Sequence, residues 1–194
     1  MRRKTLDTLL TTGGLVMAVI LLAAGGLLSW GSTFVTGQVH DQLAAQSIFF
    51  PEKGEATADP RIGPFIDTYS GEQLVNGEQA RAYADHFIAV HLSDGSGGRT
   101  YSELSTASRA APDDAELAGL VQTAFRGETL RGLLLNAYAF DTMGRIAMIA
   151  AVVSFVGAAA MLLLSLLGFA HLRRVDPQEE VLSGRSRQHQ AATA

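Results

Sequence analysis

The sequence predicts a mainly α-helical membrane protein in which two transmembrane helices form a hairpin and carry a small, mostly helical extracytoplasmic domain between them. Three observations predict this fold class: a 25-residue uncharged run over 146–170, a second apolar run over 13–32, and an acidic middle between basic ends. A helix rises ~1.5 Å per residue, so the run over 146–170 is long enough for a hydrocarbon core of about 30 Å. Lipid offers the backbone no hydrogen-bond partner, which requires a helix there.

The first apolar run is centred on LVMAVILLAAGGLL, and Trp30 follows it at a position suited to the outer membrane interface. A cleavable signal peptide is the competing interpretation, because a basic start and an apolar core are typical of one. The following SWGSTFVTG has no clear small-x-small cleavage site, and the run reaches full membrane width. These two features favour an uncleaved anchor.

The distribution of charge predicts the orientation. The net charge is −4, but residues 37–140 contain 14 acidic and 7 basic side chains, whereas Arg2, Arg3, Lys4, Arg173 and Arg174 flank the apolar runs. Basic residues stay on the cytoplasmic side of membrane helices, so both termini are expected inside and the acidic segment outside. An acidic outer domain excludes nucleic acid as an expected partner, because phosphate binding needs a basic surface.

Five segments follow from these patterns. They are a cytoplasmic basic N-terminus over 1–12, a transmembrane helix over 13–34, an extracytoplasmic domain over 35–140, a second transmembrane helix over 141–171, and a disordered cytoplasmic tail over 172–194. With no cysteine in the chain, the outer domain is held by packing and has no disulfide, thiolate metal site or cysteine nucleophile.

Small residues recur every four positions in both apolar runs, as Gly14/Ala18, Gly25/Ser29 and Ala150/Ser154/Ala158. Such stripes allow two helix backbones to approach closely. They predict contact either between the two helices of one chain or between two copies, so a homodimer is one possible partner arrangement.

Local signals predict the outer helices. Apolar residues at every fourth position from Val35 extend the first helix to Ala45, and Ile48-Phe49-Phe50 before Pro51 predicts an extended piece. A helix begins at Asn76, with Gln79 completing a capping box, and ends at the glycine cluster Asp94–Gly98. The buried face of that helix contains Ala80, Tyr83, Ala84, Phe87, Ile88 and His91.

Two further helices are expected. Thr100 and Glu103 form a capping box for TYSELSTAS, and Pro112–Glu116 opens a helix that continues through Leu133–Leu135 into the second span. Asp141 and Arg145 lie four residues apart just before the uncharged run, which predicts a structural pair at the outer interface. The pair becomes a functional candidate only if the span begins at Leu133.

The segment AYADHFIAVHLSDGSGGRTYSELS, with AFRGETLRGLLL before the second span, resembles a family of small actinobacterial membrane proteins. The resemblance implies an N-terminal anchor, a short outer domain and a second membrane helix, and it implies no established activity. An insert around 52–66 and the charged DTMGR depart from the family pattern. The matching residues are Ala82, Tyr83, Ala84, Phe87, Ile88, His91, Gly97, Gly98, Arg99, Thr100, Tyr101, Glu103 and Leu104.

Members of that family are often labelled aromatic ring-opening dioxygenases, a reaction that uses non-haem iron held by two histidines and a carboxylate. His171 and His189 are cytoplasmic in the expected topology, which leaves His40, His86 and His91. His86 and His91 lie ~140° apart on a continuous helix and cannot hold one ion together. His91 is instead expected to form a hydrogen bond at the rim of the core, toward the Thr100–Tyr101 turn.

No catalytic, cofactor or metal residue is therefore predicted, and Gly95–Gly98 is interpreted as a turn rather than a phosphate loop because it follows a helix and lacks GK[ST]. The leading hypothesis is a non-enzymatic integral membrane protein whose partners are the lipid bilayer and another membrane or envelope protein. Alternatives are an iron-dependent dioxygenase and a sensor that binds a small ligand between the Asn76 helix and the Thr100 turn.

Overall fold

A computed structural model describes residues 3–174, so the tail predicted over 172–194 lies outside the described residues beyond Arg174. The described chain is mainly helical and contains no strand. Six α-helices follow one another, with a π-helical segment over Tyr83–Ile88 and 3₁₀ turns over Glu55–Thr57 and Asp67–Tyr69. The helices are α1 Arg3–Ala45, α2 Gly63–Ile66, α3 Gly77–Ala82, α4 Ala89–Ser96, α5 Tyr101–Ala110 and α6 Ala115–Leu172.

Two of these helices are long and apolar enough to cross a membrane. They are α1, with 43 residues, and α6, with 58 residues. In the most apolar stretch of each helix only 17% and 11% of the residues are buried, which is unlike the core helix of a soluble protein. About 20 residues suffice to span a bilayer, so each helix also extends well beyond one membrane thickness.

The chain divides into two compact units. Unit 1 contains the described residues up to Trp30 together with those from Ala147 onward, and unit 2 contains Gly31–Ile146. Both long helices therefore contribute one part to each unit.

Unit 1 is held together by small residues on facing helices. A β-carbon added at Gly14 would lie 2.7 Å from Ser165 Oγ, and one added at Gly25 would lie 2.8 Å from the Phe155 ring. Such close approach is what small residues permit in an apolar environment, where dispersion replaces the hydrophobic effect as the attraction between helices. The small residues therefore mediate contact within the chain, the first of the two predicted arrangements.

Within unit 1 the buried positions of both long helices repeat every seven residues rather than every four. They are Thr11, Ala18 and Gly25 in α1, and Ala151, Ala158 and Ser165 in α6. A seven-residue repeat keeps one seam facing the partner when helices supercoil with left-handed twist. Of the predicted second-helix stripe, Ala158 is buried, whereas Ala150 and Ser154 are only partly buried.

Unit 2 has its own hydrophobic core, to which both long helices contribute. Ile66, Leu74, Leu104 and Leu134 are the largest fully buried side chains. Three of these, Ile66, Leu74 and Leu134, belong to the main cluster. Its other members are Val39 and Leu43 from α1, together with Phe50, Ile62, Ala80, Ala84 and Ile88. The predicted apolar face of the Asn76 helix is confirmed for Ala80, Tyr83, Ala84, Phe87 and Ile88, which are buried or pack against this cluster. His91, the last predicted member, is exposed.

The predicted extended piece forms a single antiparallel bridge. Phe49 pairs with Gln73, and the Phe50 and Leu74 amides donate to the carbonyls of Glu72 and Ile48 at 2.9 and 2.8 Å. This pairing closes the loop over 51–72 and directs Phe50 and Leu74 into the core.

The predicted helix starts and stops are confirmed, with one difference in detail. Asn76 Oδ1 accepts from the Gln79 amide at 2.9 Å, and Thr100 and Glu103 form both halves of a capping box. Gln79 does not complete a capping box, because its Oε1 accepts from the Val75 amide instead. Gly97, at φ 62°, adopts the left-handed conformation that ends α4 and that glycine adopts without steric cost.

Candidate functional site

Unit 2 contains a cleft of about 310 Å³. It lies between α4, the turn before α5, and the middle of α6. This volume is at the small end of those that hold small-molecule ligands. The cleft is lined by Ala89, Leu92, Ser93, Ser96, Gly98, Arg99, Thr100, Glu128, Arg131, Gly132 and Leu135.

The geometry of one wall follows from the glycine turn. Gly97 and Gly98 both have positive φ, which reverses the chain after Ser96 and brings Arg99 and Thr100 to the mouth of the cleft. The predicted turn is confirmed at Gly97 and Gly98, where the Gly98 amide donates to the Ser93 carbonyl at 2.7 Å in a helix-ending arrangement, whereas Gly95 and Ser96 still belong to α4.

The opposite wall is α6, which approaches α4 closely because Gly127 has no side chain. A β-carbon at that position would overlap the Leu92 methyl groups. Gly132 also lines the cleft and leaves open space above the helix backbone. Neither glycine interrupts α6, because the packing of the helix outweighs a cost of about 1 kcal/mol for each.

Arg131 is the central charged group of this wall. Its Nη2 donates to Asp85 Oδ1 at 2.7 Å, which fixes the guanidinium, while its Nε is buried without a hydrogen-bond partner. A buried N–H without a hydrogen-bond partner costs free energy.

Arg99 lies at the mouth on the other wall. Its Nε donates to the Ser96 carbonyl at 3.2 Å, and it forms no ion pair with any residue that the structure describes. The pKa of Glu103 lies below its usual value, chiefly because the Thr100 amide and hydroxyl donate to it and to a lesser degree because Arg99 is near. The Arg99 guanidinium thus stays available at the mouth.

Glu128 contributes the one acidic side chain of the lining. One of its oxygens, Oε1, accepts from the Tyr101 amide at 2.9 Å, which ties the start of α5 to α6. The amides of Thr100, Tyr101 and Glu103 are all satisfied by side chains. Charge in the cleft therefore comes from two guanidiniums and one carboxylate, set against the apolar surfaces of Ala89, Leu92 and Leu135.

The three histidines considered as metal ligands each contact a different residue. His40 pairs with its neighbour Asp41, His86 stacks on Phe65 with ring centroids 3.7 Å apart, and His91 Nδ1 contacts the Phe87 carbonyl at 2.8 Å. The prediction that His91 forms a hydrogen bond toward the Thr100–Tyr101 turn was wrong. Its ring nitrogen instead contacts the Phe87 carbonyl, which lies one helical turn earlier in the chain. Within residues 3–174 no three His, Asp or Glu side chains form a group that could hold a metal ion.

Asp141 and Arg145 belong to unit 2 and help to dock α3 on α6. Arg145 Nη2 donates to Glu78 Oε1 at 2.5 Å, and its Nε lies 3.8 Å from Asp141 Oδ2. A β-carbon at Gly77 would lie 2.5 Å from Asp141 Cβ, so the start of α3 rests directly on this part of α6. The pair has the structural role that its spacing predicts.

The π-helical segment Tyr83–Ile88 is the feature that periodicity did not predict. Such segments insert one residue into a helix and are frequent at functional sites. Asp85 lies within it, and its carboxylate approaches both Arg81, at 3.8 Å, and Arg131. Burial raises the pKa of Tyr83 in the same segment.

Sequence reasoning also did not single out Glu128 and Arg131. The available signal was a cluster of charges, FRGETLRG, inside a helix that is otherwise apolar. Charged side chains on a helix wall are costly to bury unless they are paired, so such a cluster indicates either a solvated face or a polar site.

Comparisons with protein-family models, curated proteins and solved structures found no match to this chain. The resemblance to small actinobacterial membrane proteins therefore stays a prediction.

Proposed function

We propose that this chain is an integral membrane protein with two spans, both termini in the cytoplasm, and that unit 2 lies outside the cytoplasm as an interaction domain. The observation that carries the membrane assignment is the exposed apolar surface of the two long helices in unit 1. Leu27 and Leu167, for example, are 70% and 67% exposed. Surfaces of this kind are stable when lipid covers them.

The orientation rests on basic residues at both ends of the spans and on the acidic character of the segment between them. Reporter fusions test it. A periplasmic-type reporter inserted at Glu55 and a cytoplasmic reporter at the C-terminus should both be active, because the two sites lie on opposite sides of the membrane. Activity of one reporter type at both sites would contradict the topology.

The proposal that unit 2 acts by association is supported by an apolar stripe on α6. Leu130, Leu133, Phe140 and Met143 are exposed and recur at helical spacing, and Leu134 on another face of the helix is buried in the core. The stripe continues along α6 to the uncharged run that begins at Ile146. A protein that covers it must itself lie at or in the membrane.

Photo-crosslinking in native membranes tests this association. A photoreactive residue at Leu133 or Phe140 should give a discrete protein adduct, whereas one at Ser102, which is exposed on α5, should not. Adducts with lipid alone at Leu133 would contradict the association and would indicate that the span begins there.

A second candidate function is the binding of a small ligand, which the cleft specifically favours. The cleft lies where the sequence places a ligand site, between the continuation of the Asn76 helix and the Thr100 turn. A ligand that binds only the folded state raises its stability by mass action. Screening a soluble compound library against the full chain in nanodiscs should therefore yield compounds that raise its unfolding temperature, and this gain should fall when Gly132→Leu fills the cleft. A library without such a compound would contradict this function.

A further inference from the structure

The cleft in unit 2 has a chemistry that specifies its ligand more narrowly than its volume does. Its lining contains the guanidiniums of Arg99 and Arg131 and the carboxylate of Glu128, and Asp85 forms an ion pair with Arg131. Arg99 forms no ion pair with any residue that the structure describes. A bound group with a single negative charge would pair with Arg99.

The donors are suited to a planar anion. Arg131 lines the cleft and is held in place by Asp85, and Arg99 uses its Nε alone for hydrogen bonds to residues that the structure describes. Guanidinium groups recognise carboxylates through parallel pairs of N–H donors, which adds geometric specificity to the charge attraction. Glu128 disfavours a group with two negative charges, such as a phosphate monoester.

The remaining surface is apolar. Ala89, Leu92 and Leu135 supply side chains, and Gly132 supplies open space beside them. Ligand sites commonly combine such walls with a few polar groups that fix orientation.

We propose that this cleft binds a small organic monocarboxylate, whose carboxylate is held by Arg99 and Arg131 and whose apolar part packs against Leu92 and Leu135. The inference rests on the ligand-binding function proposed above and is independent of the association through α6. It assigns the ligand a charge, a recognition group and an apolar body.

The test uses fluorine NMR of 4-fluorobenzoate with the full chain in nanodiscs. The fluorine signal of 4-fluorobenzoate should broaden when the wild-type chain is added. The signal of 4-fluorobenzyl alcohol, the neutral analogue, should show no broadening that depends on the cleft. Arg99→Gln should weaken binding by about tenfold or more, because it removes a charge-assisted contact. Arg131→Gln should act similarly.

Arg109→Gln is the matched control, because Arg109 is an exposed arginine of α5 whose side chain, among the described residues, donates hydrogen bonds only to Ser105 and Thr106. It should bind 4-fluorobenzoate as the wild type does. Arg131→Gln also removes the ion pair with Asp85 and for this reason can fold poorly. Arg99 is exposed and has no ion-pair partner within the described chain, so Arg99→Gln keeps the test valid in that case.

Several results would overturn the proposal. The first is failure of the wild-type chain to bind 4-fluorobenzoate at millimolar concentration, and the second is unchanged binding of 4-fluorobenzoate by Arg99→Gln. The third is binding of the alcohol that equals that of the carboxylate and also depends on Arg99. The fourth is displacement of 4-fluorobenzoate by inorganic phosphate at a concentration lower than that of the carboxylate. If the library instead yields neutral compounds whose stabilisation is lost in Gly132→Leu, the monocarboxylate is wrong and the ligand-binding function stands.

Discussion

Arg61 joins two separate segments of unit 2 through two carboxylates. Its guanidinium makes a bidentate contact with Asp94, at 2.7 and 3.0 Å, and also binds Asp59. These bonds lower the pKa of Asp59 from 3.8 to about 2, with the side-chain hydrogen bond from Arg61 as the largest cause, and they lower that of Asp94 as well.

This arrangement predicts a pH dependence of stability. A carboxyl whose pKa is lowered by folding contributes stability above its unfolded pKa, and the contribution is lost as pH falls through the folded value. The difference in unfolding temperature between the wild type and Arg61→Gln should therefore be constant above about pH 4 and shrink between pH 4 and 2. The contribution should be small, because the pair is exposed.

Circular dichroism during thermal unfolding of the full chain in detergent measures this difference. Arg109→Gln serves as the control, since Arg109 contacts hydroxyl groups rather than carboxylates and its effect should not change over this range. A wild-type advantage over Arg61→Gln that persists unchanged at pH 2 would rule out the assigned cause.

Gly77 is a residue whose missing side chain is required by packing. We expect Gly77→Ala to destabilise unit 2 by about 1–3 kcal/mol, because the added methyl group would overlap Asp141 and push α3 away from α6. Gly95→Ala, in α4, has open space around it and should be neutral or stabilising. Chemical denaturation of both variants gives the comparison, and equal stability of the two would refute the close contact.

At the scale of single elements, α5 depends on its first turn. The Thr100 hydroxyl accepts from the Glu103 amide, and Glu103 returns two hydrogen bonds to Thr100. Thr100→Ala should cost about 1 kcal/mol of unfolding free energy, the typical value of an N-cap. Thr106→Ala, in the exposed middle of the same helix, should cost little, and an equal loss in both variants would show that the cap is unimportant.

The two long helices depend on close approach along their small-residue seam. Gly25→Val should lower the stability of unit 1 by about 1–3 kcal/mol, since its side chain would overlap the Phe155 ring. Gly26→Val, next to it, faces open space and should be tolerated. Thermal unfolding and light scattering in detergent together report the result.

The same pair of variants separates the two roles predicted for the small residues. If Gly25 joins the helices of one chain, Gly25→Val changes stability without changing the particle mass. A halving of the mass in Gly25→Val, with Gly26→Val unaffected, would instead assign the seam to a homodimer.

At the scale of the whole molecule, α1 contributes to both units. Thr11 and Ala18 are buried in unit 1, and Val39 and Leu43 are buried in the core of unit 2, all on one continuous helix. We therefore expect the first apolar run to be retained in the mature protein rather than removed as a signal peptide. Intact-mass measurement of protein purified from membranes checks this, and a mass that lacks residues before Phe34 would contradict it.

Several parts of the fold were predictable because they depend on residues that are close in sequence. The caps at Asn76 and Thr100 and the left-handed Gly97 involve partners within four residues. The end of α1 at Ala45 follows from local periodicity. The long apolar helices follow from hydropathy summed over a window, which requires no knowledge of the partner.

The candidate site was predictable only in its position, not in its residues. The sequence places it between the Asn76 helix and the Thr100 turn, but Arg131 and Glu128 come from a helix about 30 residues further along. The π-helical segment that contains Asp85 changes the register of side chains in a way that a constant helical period cannot represent.

The sequence by itself therefore determined the helical class, the two apolar helices, the helix ends and the sign of each segment's charge, because these are local or additive properties of the chain. Tertiary structure alone decided which small residues form the seam, where Gln79 and His91 find their partners, and which charges line the cleft. Those outcomes depend on the packing of α6 against α1, α3 and α4 within unit 2 and on the seam within unit 1, and packing is set by side-chain volumes on both surfaces at once.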